Sequence, residues 1–286
     1  MPFITVGVEN SAPIDIYYED HGSGQPVVLI HGFPLSTASW EKQVAALLPA
    51  GYRTIAYDRR GFGNSSQPAF GYDYDTFAAD LDTILNELNL RDAVLVGHSM
   101  GTGEVTRYLG RYGSDRVSRA VLLSPIPPYL LKTADNPQGV ERSLFDGFMQ
   151  AIRDDRFAYL TSFCDNFFNY DQTRGRQVSE EAYRAHWNVG AQASAIATLA
   201  CVEAWLTDFR DDISRIDVPV LIIQGDADRV LPHPVTGQRL QPMLPGSRLV
   251  TLKGAPHAIA WTNADEVNRE IMDFVAAPTP AMARSR

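Results

Sequence analysis

The chain has 286 residues, 45% of them hydrophobic, which is ample for one large folded core. Its formal net charge is −9, from 25 basic and 34 acidic residues, and it contains no basic run, so nucleic acid and an anionic membrane surface are not expected partners. No apolar run approaches the roughly 18 residues of a membrane span. The N-terminal stretch also lacks the charge and apolar pattern of a secretory signal, so we expect a cytoplasmic protein.

The predicted elements alternate between strands and helices. Residues 4–8 and 14–19 alternate apolar and polar side chains around a turn and predict two antiparallel strands at a sheet edge. The later strands are short and apolar, which is typical of a mostly parallel sheet with helices on both faces. Strands are predicted at 26–30, 53–57, 94–96, 117–123, 218–224 and 248–252, and helices at 40–48, 74–88, 104–112, 236–243 and 266–275.

A change of character after residue 124 indicates an insertion. Prolines at 125, 127, 128 and 137 precede a mainly helical, aromatic-rich region. The predicted organisation is therefore an α/β core of residues 1–124 and 210–277, a helical cap of residues 125–209, and a flexible C-terminal tail of residues 278–286. The cap aromatics are expected to form mostly cap core and partly a pocket lining.

The strongest chemical motif is Gly97-His98-Ser99-Met100-Gly101, which connects a buried strand to a helix. A sharp turn of this kind favours glycine two residues before and after the serine and presents the hydroxyl at the carboxyl edge of the sheet. The helix begins beside the serine, so unpaired N–H groups and the positive end of its dipole face an oxyanion forming there. Ser99 is therefore the predicted nucleophile.

A second loop, His31-Gly32-Phe33-Pro34, follows the strand at 26–30. If it lies beside the serine turn, the N–H groups of Phe33 and Met100 are placed as two oxyanion donors. Pro34 restricts Phe33 to an extended backbone and so limits the direction of the Phe33 carbonyl. His31 is interpreted as a hydrogen-bonded packing residue.

A serine nucleophile needs a general base, and the base needs an orienting carboxylate. His257 follows a late strand in the loop Gly254-Ala255-Pro256-His257, and Asp226 and Asp228 both follow the strand at 218–224. Spacing alone leaves both aspartates open; we assign Asp228 and take His257 as the base. His98, the variable residue of the turn, is expected to point away from the reaction.

Long stretches of the chain resemble the cofactor-free bacterial haloperoxidases, which are α/β-hydrolases related to arylesterases, perhydrolases and gamma-lactamases. The matching stretches include PFITVGVENS, IDIYYEDHGSGQPVVLIHGFPL, YDRRGFGNSSQP, DAVLVGHSMGTGEVTRY, IDVPVLIIQGDADRVLP and GAPHAIAWT. The resemblance implies an α/β-hydrolase fold with a cap and a triad of Ser99, Asp228 and His257. It also implies Phe33 and Met100 as oxyanion donors, and a homo-oligomer, a trimer or trimer-based. This chain departs from the family pattern at His98, where relatives carry phenylalanine.

The expected function is hydrolysis of small esters through an acyl-enzyme, with a small ester or carboxylic acid as substrate and hydrogen peroxide as a second acceptor that yields a peracid able to oxidise halide. We place Pro34, Ile126 and Trp205 at the substrate pocket. No cofactor or metal is expected, because the sequence contains no metal-type spacing or cofactor-binding glycine loop. The alternatives are an amidase or gamma-lactamase of the same fold, and a ligand receptor with negligible turnover. An aspartate-nucleophile dehalogenase or epoxide hydrolase is disfavoured by Ser99.

Overall fold

The computed structural model describes residues 2–278, so the predicted tail lies outside the described residues apart from Pro278. One eight-stranded sheet forms the centre, with strand order β1-β2-β4-β3-β5-β6-β7-β8. The strands β1 to β8 are Phe3–Glu9, Ala12–His21, Pro26–Ile30, Arg53–Tyr57, Ala93–His98, Val117–Leu123, Val220–Gly225 and Arg248–Leu252. The pair β1–β2 is antiparallel and the sheet is mostly parallel, as predicted; β2–β4 is a second antiparallel pair, and the other pairs are parallel.

Eleven α-helices are formed by the described residues. From α1 to α11 they are Glu41–Leu47, Tyr74–Glu87, Met100–Tyr112, Arg142–Phe168, Tyr170–Thr173, Glu180–Ala191, Ala195–Ala204, Arg210–Ile213, Gly237–Leu240, Ile259–Thr262 and Ala264–Ala276. The predicted helix at 236–243 is shorter than expected: α9 has four residues and is followed by a 3₁₀ turn, Gln241–Met243. Pro242 lies in that turn, and its missing N–H cannot continue an α-helix.

Successive residues of the central strands face two different hydrophobic cores. Val28 and Leu95 belong to the core that also contains residues of α2 and α3, whereas Val27 and Val94 belong to the core that contains residues of α1 and α11. Helices therefore cover both faces, which explains why all six residues of β5 are buried. Among the described residues, none of the helices is both long enough and apolar enough to span a membrane.

The parallel register gathers the functional loops at one edge. Ile30, Gly97, Leu122 and Ile222 are aligned across four neighbouring strands. The segments that leave the carboxyl ends of these strands therefore start side by side. The loops after β3, β5, β6, β7 and β8 all open on this edge.

Helices α4 to α8 lie between β6 and β7; α4 to α7 lie in the region predicted to form the cap, and α8 lies just after it. Helix α4 is interrupted at Asp155, whose φ of −157° and ψ of 95° are not helical. The Asp155 carboxylate accepts hydrogen bonds from the N–H groups of Phe157 and Ala158, both at 3.0 Å, and so caps the second half of α4. The second half carries Phe163 and Phe167, which contact Phe33 and His257 in the loops at the carboxyl edge of the sheet.

Candidate active site

Ser99 occupies the turn between β5 and α3. Its φ of 53° and ψ of −119° are unusual for a residue with a side chain, and the residue is 5% exposed. The turn is tight enough to exclude side chains around it: a Cβ at position 97 would lie 2.6 Å from the Gly101 carbonyl oxygen, and one at 101 would overlap the Ile30 carbonyl oxygen. A strained residue held in this way is typical of a functional site.

His257 lies in the loop after β8 and is completely buried. Its Nδ1 is 2.7 Å from Oδ2 of Asp228, while Oδ1 of Asp228 accepts hydrogen bonds from the N–H groups of Val230 at 2.9 Å and Leu231 at 2.8 Å. Because a carboxylate only accepts, the proton of the neutral imidazole lies on Nδ1. Nε2 is then a bare acceptor, and it is buried without a hydrogen-bond partner among the described residues.

Asp226, the other candidate carboxylate, has a different position. It is exposed, and its Oδ1 accepts a hydrogen bond from the N–H of Gly254 at 2.6 Å. Asp226 therefore ties the loop after β7 to the loop after β8, whereas Asp228 contacts the imidazole. Of the two alternatives left open by the sequence, the geometry favours Asp228.

The loop after β3 approaches Ser99 closely. A Cβ added to Gly32 would lie 3.0 Å from Cβ of Ser99, so a side chain there would require its neighbours to shift and glycine favours this approach. Neither the N–H of Phe33 nor that of Met100 donates a hydrogen bond to another group within residues 2–278. Both residues are buried, and the Met100 carbonyl is held by the hydroxyl of Tyr74 at 3.1 Å. Two unpaired donors beside a serine are the arrangement that an oxyanion requires.

Buried charges hold this loop in place. Arg59 and Glu104, 1% and 0% exposed, form an ion pair with Nε and Oε2 2.7 Å apart, which joins the segment after β4 to α3. The Arg59 Nη2 also donates to the His31 carbonyl at 3.0 Å, and the Arg59 main-chain N–H donates to the His31 Nε2 at 3.0 Å. Burial and the nearby Arg59 cation lower the pKa of His31 well below its ordinary value. His31 is thus a neutral hydrogen-bonded packing residue.

The three residues placed at the substrate pocket lie close to these loops. The Trp205 ring packs edge-on against Phe33 with centroids 4.8 Å apart, and its indole nitrogen is buried without a partner among the described residues. Pro34 is buried near Gly190 of the cap, where a Cβ would lie 3.0 Å from the proline ring. Ile126 is buried, and its N–H donates to Oγ1 of Thr102 in α3 at 3.0 Å.

The sequence analysis gave no catalytic role to His98, which it expected to point away from the reaction, or to Ser124, but both residues contact the His257 loop. The His98 Nε2 lies 3.1 Å from the His257 carbonyl oxygen, and the Ser124 hydroxyl donates to the same oxygen at 3.2 Å. His98 is the last residue of β5 and Ser124 directly follows β6, both at the carboxyl edge of the sheet, and this placement was the signal in the sequence. Among the residues that the structure describes, no three His, Cys, Asp or Glu side chains form a group able to hold a metal ion.

Known proteins resemble this chain over nearly all of its length. A family model described as the alpha/beta hydrolase fold matches residues 25–264. A Synechocystis sp. protein named "Putative non-heme chloroperoxidase" is 64% identical over 275 residues, which cover 96% of this chain and 100% of that protein. A bifunctional esterase/perhydrolase from Acinetobacter calcoaceticus is 35% identical, covering 92% and 96% of the two chains. The crystal structure of a bromoperoxidase from Bacillus anthracis matches with a TM-score of 0.92 and 45% identity, covering 96% of this chain and 99% of that one.

Proposed function

Because the chain belongs to the α/β-hydrolase family and is an enzyme of its non-heme haloperoxidase group, we propose that it hydrolyses and perhydrolyses small esters through a serine acyl-enzyme. The observation that carries this proposal is the state of His257. Its Nδ1 is bound to Asp228, its Nε2 is buried with no hydrogen-bond partner in the part of the chain that the structure describes, and its loop lies against the turn that holds Ser99.

The first half of the reaction forms the acyl-enzyme. His257 Nε2 takes the hydroxyl proton of Ser99 as Oγ attacks the ester carbonyl. The carbonyl oxygen becomes an oxyanion, which the N–H groups of Phe33 and Met100 bind. The tetrahedral intermediate then breaks its bond to the alcohol oxygen, and the alcohol leaves with the proton from His257.

The second half repeats these steps with a different nucleophile. Water gives up a proton to His257 and attacks the acyl carbon. The tetrahedral intermediate then breaks its bond to Ser99 Oγ, which takes the proton back from His257 as the carboxylic acid leaves. Hydrogen peroxide does the same through one of its oxygens and yields a peracid, R–CO–O–OH. The peracid then transfers its terminal oxygen to bromide or chloride, giving hypohalous acid and the carboxylate. Halide oxidation is thus a consequence of perhydrolysis, and the halide needs no site on the protein.

The test compares the wild type with Ser99→Ala on a short-chain aryl ester, with and without peroxide. We expect the wild type to release phenol in both cases and to form peracid only with peroxide, and Ser99→Ala to do neither. Bromide oxidation should follow the peracid concentration. Normal peracid formation by Ser99→Ala would contradict the proposal, and so would ester turnover in which peroxide leads to no peracid.

A further inference from the structure

The main-chain carbonyl of His257 is the acceptor of an unusual number of hydrogen bonds. It accepts from the N–H of Ile259 at 2.9 Å, from His98 Nε2 at 3.1 Å and from the Ser124 hydroxyl at 3.2 Å. The first bond is local, but the other two come from the ends of β5 and β6. The peptide unit that carries the imidazole is therefore fixed to two strands of the sheet.

The His98 ring is held rigidly in the state that this contact needs. Burial lowers the pKa of His98 to about 3, so the imidazole is neutral. Because a carbonyl oxygen only accepts, Nε2 carries the proton and Nδ1 is bare. The ring packs against Trp40, Phe167 and His257, with centroids 6.3, 5.8 and 5.1 Å away. Its donor cannot turn away without disturbing all three rings.

Ser124 is held as rigidly by its main chain. It has a φ of 46°, in the left-handed region that a residue with a side chain seldom adopts, and it is fully buried. Its own N–H donates to the Ile223 carbonyl at 2.8 Å, which continues the ladder between β6 and β7. A strained conformation kept at this point directs the hydroxyl toward His257.

We propose that His98 and Ser124 are positioning residues that together hold His257 in register with Ser99; this proposal rests on the proposed serine mechanism. His98 is the residue immediately before Ser99, so it connects the nucleophile turn directly to the loop of the base. Neither side chain takes part in proton transfer, because both donors are bonded to the His257 carbonyl. Their effect is on the geometry of the step in which His257 accepts the Ser99 proton.

The test uses His98→Phe, which keeps a ring in the packed site but removes the donor, and His98→Gln, whose amide N–H₂ can reach the same carbonyl. Loss of one neutral hydrogen bond corresponds to a decrease in rate of about threefold to tenfold. We expect His98→Phe to lower kcat by that factor with KM changed less than about twofold, and His98→Gln to recover most of kcat. Ser124→Ala should cause a similar loss. In the double variant, His98→Phe with Ser124→Ala, kcat should fall by more than the product of the two single factors, because in each single variant the remaining bond compensates partly for the lost one.

His186→Phe is the matched control. His186 is also a buried histidine packed among aromatic rings, but its Nδ1 is bonded to the Ala182 carbonyl and not to the His257 loop. The kcat of His186→Phe should stay at the wild-type value. The positioning role is overturned if His98→Phe keeps full kcat, if His98→Gln is no better than His98→Phe, or if kcat falls only as the folded fraction falls in a thermal melt. Loss of the proposed function itself is separate, since it would appear as normal turnover in Ser99→Ala.

Discussion

Replacement of Asp228 by asparagine should reverse the tautomer of His257. The carboxylate accepts from Val230 and Leu231 through Oδ1 and from His257 through Oδ2, whereas an amide has only one acceptor oxygen. Two main-chain N–H groups cannot turn away, so the amide oxygen should take the Oδ1 position. The amide N–H₂ then faces the imidazole, whose Nδ1 must accept. The proton moves to Nε2, which can no longer accept the proton of Ser99.

The expected loss is large because two effects act together. The base is in the wrong tautomer, and the imidazolium that forms during attack has lost its carboxylate. In a comparable serine triad this change lowers kcat by about 10⁴, or about 5.4 kcal/mol at 1.36 kcal/mol for each tenfold. The fold should be kept, since the amide oxygen preserves the two bonds of the 228–231 turn. We therefore expect kcat/KM for an aryl ester to fall by about 10³ to 10⁴ with little change in Tm.

Asp226→Asn is the control for this prediction. Asp226 is exposed and accepts one bond from Gly254, and an amide oxygen can keep that bond. The variant should change kcat/KM by no more than about threefold, as expected for one exposed hydrogen bond. Both proteins are assayed with the same ester at the same folded concentration. Equal losses, or a larger loss in Asp226→Asn, would refute the assignment of Asp228.

Three further changes should have distinct outcomes. Ser99→Ala should lower ester turnover by about 10⁶, measured on purified folded protein; near-normal turnover would reject a serine nucleophile. Pro34→Leu should lower the peracid-to-acid ratio at fixed peroxide by a few-fold to about tenfold, because a carbonyl of Phe33 held in one direction can accept from a peroxide O–H; an unchanged ratio would limit Pro34 to shaping the turn. Burial raises the pKa of Asp80 from 3.8 to about 6 despite its close pairing with Arg60. A raised folded-state pKa gives stability that is complete below about pH 4 and is lost as the pH rises through 6. The unfolding free energy of the wild type minus that of Asp80→Asn, measured in urea, should therefore be about 1 kcal/mol larger at pH 5 than at pH 7. A smaller excess at pH 5 would mean that the Arg60 pairing outweighs burial.

Local patterns in the sequence were sufficient to predict the sheet. Residues 117–123 were predicted as a strand and form β6 with the same bounds, because a short apolar segment buried on both faces has a clear start and end. The glycines at 97 and 101 were likewise informative, since the turn leaves no space for a side chain at either position. Such features depend on residues near one another in the chain, so they can be predicted from the sequence alone.

The choice between Asp226 and Asp228 depends on a turn that the sequence did not resolve. Both aspartates follow β7 within three residues. The contacts that favour Asp228 are its bond to His257 Nδ1 and the bonds from the N–H groups of Val230 and Leu231 that hold its carboxylate there. The contacts of the cap have the same character. Phe33 and Trp205 pack together although they are far apart in the sequence. No periodic pattern in the sequence predicts which aromatic residue of the cap contacts the oxyanion loop.

Several buried polar groups of this protein lie beside the loops of the candidate site, among them His31, Arg59 and Glu104. Burying Arg59 and Glu104 costs desolvation that their attraction often only offsets, so an apolar pair of similar volume could give equal stability. An apolar pair could not hold the His31 carbonyl, two residues before Phe33, while also holding α3, which begins at Met100. The ion pair therefore links the loop that carries Phe33 to the helix that begins at Met100, the two segments that carry the N–H groups assigned to the oxyanion. The bonds to the His257 carbonyl act in the same way on the base, and the geometry of the site depends on polar contacts one layer behind the reacting atoms.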